Sequence, residues 1–176
     1  RLCRDWSSDV CSSDLLHDEA LRDNPARADA TAAAAWNPFR KQQHIHDMCH
    51  PDAEALMQRI RRFMDRFPHA ITIGEISSEA GALNRIASLT AEGRLDMAYT
   101  LGVMKSAFSP AMFRQALRDA RELNQVGWLC WSFSNHDVER VATRWNGTGV
   151  APTAFTRMLM ALLLCLPGSI CLYQGE

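Results

Sequence analysis

Trp128-Leu129-Cys130-Trp131-Ser132-Phe133-Ser134-Asn135-His136-Asp137 starts apolar and ends in an amide, an imidazole and a carboxylate. Ile71-Thr72-Ile73-Gly74-Glu75-Ile76 has the same design, an apolar run that closes near an ionisable group. Short apolar runs of this kind read as buried strands rather than half-solvated ones. Where parallel strands close into a barrel, chemistry sits at their C-terminal ends. Two carboxylates brought together there suit general acid catalysis and stabilisation of a cationic transition state.

Helical periods separate the strand-like runs. From Asp52 to Phe67, residues Leu56, Ile60, Phe63, Met64 and Phe67 recur at helical spacing, and Pro68 stops the pattern. A polar loop and short helix are expected from Ser77 to Gly93, then a strand from Leu95 to Leu101. Ser109-Pro110 reads as a helix cap followed by proline at the first helical position. The helix after it is expected to turn Phe113, Leu117, Ala120 and Leu123 inward. Ala151 to Leu166 is a strongly apolar helix, ended by Pro167-Gly168, and Ser169 to Tyr173 is the last strand. Alternating strands and helices predict an α/β fold with a parallel sheet under outer helices.

Composition narrows the function. Hydrophobic residues make up 47%, charged residues 22%, and the net charge is −1. A nucleic-acid binder would show a basic excess, so no nucleic-acid partner is expected. The longest apolar run, Met158 to Leu166, is too short to span a bilayer, so no membrane partner is expected either. The six cysteines show no paired spacing. Cys130, Cys165 and Cys171 lie in apolar runs and read as small buried hydrophobes. The absence of a disulfide framework favours a reducing compartment, hence a cytoplasmic location.

Four motifs in order carry a family resemblance. Ser134-Asn135-His136-Asp137 with Arg140, the Gly74-Glu75 strand end, Leu95-Asp96-Met97-Ala98-Tyr99, and Gly168 to Glu176 resemble successive strand motifs of the α-amylase superfamily, glycoside hydrolase family 13. His17-Asp18-Glu19-Ala20-Leu21-Arg22-Asp23-Asn24-Pro25 is similar to the segment after the fourth strand of bacterial α-glucosidases.

The resemblance implies a fragment of a (β/α)8 barrel, roughly strand 5 to strand 8 with the preceding loop. A whole barrel needs about 250 residues, more than the 176 here. Residues 17–176 read as the C-terminal half of a catalytic barrel. Residues 1–16 have neither helical nor strand period and resemble translated sequencing-adapter read-through.

The resemblance also implies roles. Glu75 would be the general acid/base of a retaining α-glucoside hydrolase acting on maltose, sucrose or short α-glucosides. Such an acid must hold its proton near neutral pH, which burial and neighbouring carboxylates favour. Asp137 would stabilise the oxocarbenium-like transition state, and His136 would donate to the same sugar ring. Asn135 and Arg140 would hold the loop. The partner implied is a small α-glucoside or oligosaccharide, with no organic cofactor and no metal in this stretch. A retaining site needs a second carboxylate as nucleophile. In the family it ends the fourth strand, which falls here near Val10, and neither Asp9 nor Asp14 has the expected surroundings. The nucleophile is therefore expected to lie outside the sequence, and the fragment to be inactive alone.

Two other readings compete. His44-Ile45-His46-Asp47-Met48-Cys49-His50 holds zinc-ligand types at short spacing and would suit a metal-dependent hydrolase. The family has an aromatic and basic loop in this place. A non-catalytic relative serving as a scaffold is the other, and such relatives usually lack the acid or the strand-seven Asp. Asn146-Gly147-Thr148 matches a glycosylation acceptor, though Asn-Gly suits a turn better.

Overall fold

The computed structural model describes residues 20, 22–28, 38–47, 52–76, 82–105, 107–123, 127–146 and 151–176. Helix α1 (Ala53–Met64) leads into strand β1 (Ile73–Ile76). Helix α2 (Ala82–Leu89) precedes β2 (Met97–Thr100), and α3 (Gly102–Lys105) and α4 (Pro110–Leu123) precede β3 (Cys130–Trp131). Helices α5 (Val141–Arg144) and α6 (Pro152–Leu164) precede β4 (Ser169–Ile170).

The four strands pair in parallel. β1 and β2 pair from Ile73↔Met97 to Ile76↔Thr100, and β3 and β4 pair at Cys130↔Ser169 and Trp131↔Ile170. A parallel bridge, Ala98↔Leu129, joins the two pairs. The strands thus form two parallel pairs, β1-β2 and β3-β4, set side by side through that bridge, in the order the alternating pattern predicts. Parallel neighbours need crossovers, and the helices supply them.

Side chains alternate across each strand, so the register sorts them into two faces. Ala98 and Leu129, 0% and 2% exposed, face the helices, where Ile86, Leu89, Leu159 and Leu163 are also fully buried. Glu75 and its register partner Tyr99 share the opposite, inner face. Ile73, on the same face of β1 as Glu75, is 45% exposed, and Ile71 just before the strand is 58% exposed. Among the described residues the inner face is open.

Asp96 fixes the start of β2 against β1. Its carboxylate accepts from the Thr72 backbone N–H at 2.7 Å and the Thr72 hydroxyl at 2.8 Å, and pairs with Arg61. In return the Asp96 backbone N–H donates to Thr72 Oγ1 at 2.9 Å. A slip of one residue would turn every side chain to the wrong face, so this clamp determines what lies beside Glu75.

Two glycines permit close approach. A Cβ at Gly127 would lie 2.5 Å from Thr90 Oγ1, which itself accepts the Trp128 N–H at 2.8 Å. Gly168, at φ +127°, leaves room for the Leu129 carbonyl, 2.5 Å from where its Cβ would stand.

Several sequence expectations need correction. The strand expected through Asp137 keeps sheet pairing only from Leu129 to Trp131. Beyond them the chain leaves the sheet, because Phe133 plunges into an aromatic cluster with Phe113 and Trp145 at 5.9 and 5.2 Å. In α4 the inward residue is Ala116 rather than Leu117, since 113, 116, 120 and 123 follow the helical period more closely. The Ser109 cap is present, its Oγ accepting the Met112 N–H at 3.2 Å. In α1, Ala53 and Met57 are the buried residues, while Phe63 and Phe67 stand half exposed and pack on each other at 5.4 Å. Cys130 is buried as expected, but Cys165, just past the end of α6, is exposed, and Cys171 is intermediate.

Candidate active site

The site is built at the ends of β1, β2 and β3. Glu75 is the third residue of β1. Opposite it, the chain past β3 is pinned at both sides of Ser134. Ser132 Oγ donates to the Ser134 carbonyl at 2.7 Å, and Ser134 Oγ accepts the Val141 N–H at 2.9 Å. Asn135 follows this pinned segment. It is 5% exposed and reaches across to β1.

Asn135 has two partners. Its Nδ2 donates to Glu75 Oε1 at 3.0 Å, across 60 residues of chain. Its Oδ1 accepts the Asp137 backbone N–H at 3.0 Å, which closes a turn. The turn lifts His136 and Asp137 outward, with side chains 47% and 53% exposed and His136 Nε2 3.5 Å from Asp137 Oδ1. Of the residues singled out in the sequence, Glu75 and Asn135 touch, and His136 and Asp137 are carried by the same turn.

Arg140 ties this loop to the segment after β4. It donates to the Gln174 carbonyl, and its guanidinium lies 5.1 Å over the Tyr173 ring. Arg144 likewise reaches back to the carbonyls of Phe133 and Glu139.

Sequence reading placed Tyr99 in a strand and gave it no role. It stands beside Glu75 by strand register, and the Glu75 and Asn135 side chains are near enough to act on its phenol. Burial first, then the Glu75 charge, push the phenol far above its ordinary range, outweighing the opposing hydrogen bond from Asn135. Tyr99 therefore stays a neutral donor. The signal that could have found it was the two-residue alternation of the strand, which puts Met97 and Tyr99 on one face. The Cys130 thiol, also on the inner face, is pushed up to about 12 by burial and then by Cys171, so it is an inert thiol rather than a nucleophile.

The His44 cluster is a different object. His44 Nδ1 lies 3.0 Å from Asp47 Oδ2 and its Nε2 2.6 Å from the Phe39 carbonyl. Burial pushes the Asp47 carboxyl up, but hydrogen bonds from His44 and Asn24 and the His44 charge outweigh it, so it titrates below its usual range. Both ring nitrogens are engaged, which leaves neither lone pair for a metal. Met48, Cys49 and His50 lie outside the described residues, as do His17, Asp9, Asp14, Gly147 and Thr148. Among the described residues no three His, Cys, Asp or Glu side chains are grouped to hold a metal ion. No helix among them is long and apolar enough to cross a membrane.

Asn24-Pro25, part of the glucosidase-like motif, is stitched to this loop. The His46 N–H donates to Asn24 Oδ1 at 3.0 Å, the Gln43 N–H to the Pro25 carbonyl at 2.9 Å, and the Arg27 N–H to the Lys41 carbonyl at 2.8 Å.

Residues 14–176 match the family described as Alpha amylase, catalytic domain. A probable α-glucosidase of Rhizobium meliloti (strain 1021) is 36% identical over 167 residues, 92% of this chain and 30% of that protein. The crystal structure of XgtA, an α-glucosyl transfer enzyme, is 41% identical with a TM-score of 0.77, over 94% of this chain and 31% of that one. The trehalose-6-phosphate hydrolase TreA of Bacillus licheniformis shares the fold at 21% identity and a TM-score of 0.64, over 75% of this chain and 26% of its own. The chain spans about a third or less of the relatives it matches. It belongs to the α-amylase catalytic-domain family.

Proposed function

We propose that this member of the α-amylase family is the acid/base part of a retaining α-glucoside hydrolase, with β1 to β4 serving as the fifth to eighth strands of the barrel. The observation that carries this reading is the Asn135 hydrogen bond to Glu75, which joins two strand ends around one carboxyl. Residues 17–176 are assigned to this half-barrel.

In this reading a carboxylate from outside the chain attacks the anomeric carbon while Glu75 gives its proton to the departing glycosidic oxygen. Glu75, now a carboxylate, takes a proton from the water that attacks the glycosyl-enzyme, and the nucleophile leaves. Asp137 faces the positive charge that develops on the sugar ring, and His136 binds its hydroxyls. Asn135 and Arg140 keep the loop in place. Substrates are maltose, sucrose or short α-glucosides. The 36% identity to a probable α-glucosidase supports that choice. The unpaired thiols Cys130, Cys165 and Cys171 suit a cytoplasmic setting.

The test is Glu75→Gln in the full-length protein. Turnover of maltose should be nearly abolished. Single-turnover glycosylation by an activated aryl α-glucoside, whose leaving group needs little protonation, should lose much less. Equal losses on both would sink the acid role. Residues 1–176 alone should hydrolyse neither substrate, because a retaining site needs the nucleophile about 5 Å from the acid.

A second reading comes from XgtA, named for α-glucosyl transfer and 41% identical. A sugar hydroxyl would then replace water in the second step. Transfer products at high maltose concentration, separated by chromatography, distinguish the two.

A further inference from the structure

We infer that Tyr99 is a positioning residue for Glu75, its phenol and the Asn135 amide together holding the carboxyl at the strand end in one orientation. This rests on Glu75 being the acid/base.

Tyr99 is the in-register neighbour of Glu75 on a parallel strand, so their Cα atoms are about 4.8 Å apart and their side chains leave the same face. The register is not free to slip, because the Asp96 clamp with Thr72 holds β2 three residues earlier. Asn135 approaches from the third strand end and hydrogen-bonds Glu75 at 3.0 Å. Two paired strands and the loop beyond a third thus each bring one polar residue to this place.

The donor directions are consistent. A carboxylate oxygen only accepts, so the phenol O–H is the donor of the Tyr99–Glu75 pair, and the Asn135 amide, with one hydrogen given to Glu75, has a second for the phenol oxygen. Loss of the phenolic proton would place a second negative charge against Glu75, and burial opposes it as well. Tyr99 therefore keeps the same donor role through both half-reactions. A phenylalanine would fill the same space as a core aromatic, but only tyrosine supplies the hydroxyl.

Tyr99→Phe separates these roles. In the full-length protein, kcat/KM for maltose per folded molecule should fall about tenfold, the scale of one hydrogen bond to a charged group. Single-turnover glycosylation by an activated aryl α-glucoside should fall much less. In a Glu75→Gln background the same change should add almost nothing, because Tyr99 acts through Glu75. Equal losses on both substrates, additive losses in the double variant, no loss, or a variant that does not fold would each make Tyr99 a packing residue and overturn the inference. Should Glu75→Gln alone leave maltose turnover intact, the acid/base reading itself fails. A failure confined to Tyr99→Phe leaves that reading standing.

Discussion

Asn135 donates from Nδ2 to Glu75 Oε1 at 3.0 Å while its Oδ1 accepts the Asp137 backbone N–H at the same distance. One buried amide thereby sets where the Glu75 carboxyl points and where the loop bearing Asp137 turns. Both hydrogen bonds disappear together if it is lost.

Asn135→Ala should therefore cost more than one contact. It leaves the Asp137 N–H without its turn partner and takes a donor from Glu75. The expected stability loss is about 1–3 kcal/mol, the scale of a buried group deprived of its partner. Activity per folded molecule should fall further than stability alone accounts for. Denaturant titration alongside kcat/KM for maltose checks this, and normal specific activity in the folded variant would show that the amide is only structural.

Asp137→Asn should behave in the opposite way. The side chain is 53% exposed and keeps its shape on substitution, so the unfolding midpoint should hardly move. The loss of kcat/KM should correspond to roughly 3 kcal/mol of transition-state stabilisation, as for other preorganised electrostatic groups. Unchanged activity per folded molecule with a lowered midpoint would assign Asp137 to the fold instead.

Asp96 should make the protein acid-sensitive. Burial pushes its carboxyl up, but the hydrogen bonds from Thr72 and the Arg61 charge outweigh that and hold it below its usual value of 3.8. A carboxyl depressed in the folded state stabilises fully above its unfolded value, and the contribution fades as pH falls through the lower folded value. Asp96→Asn should lower stability at neutral pH by on the order of 1 kcal/mol, modest because the side chain is 35% exposed. Below about pH 4 the gap to the unaltered protein should narrow. Thermal unfolding followed from pH 7 to pH 3 reads the difference, and parallel curves would remove Asp96 from this role.

Gly168→Ala should be poorly tolerated for two independent reasons. Its φ of +127° strains any side chain, and the new Cβ would sit 2.5 Å from the Leu129 carbonyl oxygen. We expect a loss of at least about 2 kcal/mol, since such backbone strain alone costs 1–3 kcal/mol. β4 would be pushed off β3, where the Ser169 N–H donates to that same carbonyl at 3.1 Å. Chemical denaturation measures this, and a stability within about 0.5 kcal/mol of the unaltered protein, the usual range for an inconsequential surface change, would refute it.

Much of the architecture is written locally. Pro68, Ser109-Pro110 and Pro167-Gly168 punctuate the chain because their backbone preferences act within a few residues, and the helices begin and end near them. The alternation of apolar strands with amphipathic helices sufficed for a parallel α/β sheet. The Gly74-Glu75 and Asn135-His136-Asp137 strand ends were visible for the same reason. Tertiary structure decided the rest. Phe133 ended the sheet after Trp131 because an aromatic cluster from α4 and the residues after α5 waited for it, and no local pattern shows that. Asp96 read as one residue of a strand motif, yet its clamp on Thr72 sets the register that puts Tyr99 beside Glu75. Leu117 and Phe63 carry the hydrophobicity of core residues and are exposed, because the neighbouring elements pack one position away on each helix. Local preference fixes where elements start and stop, whereas which side chains meet depends on register and packing between segments distant in sequence.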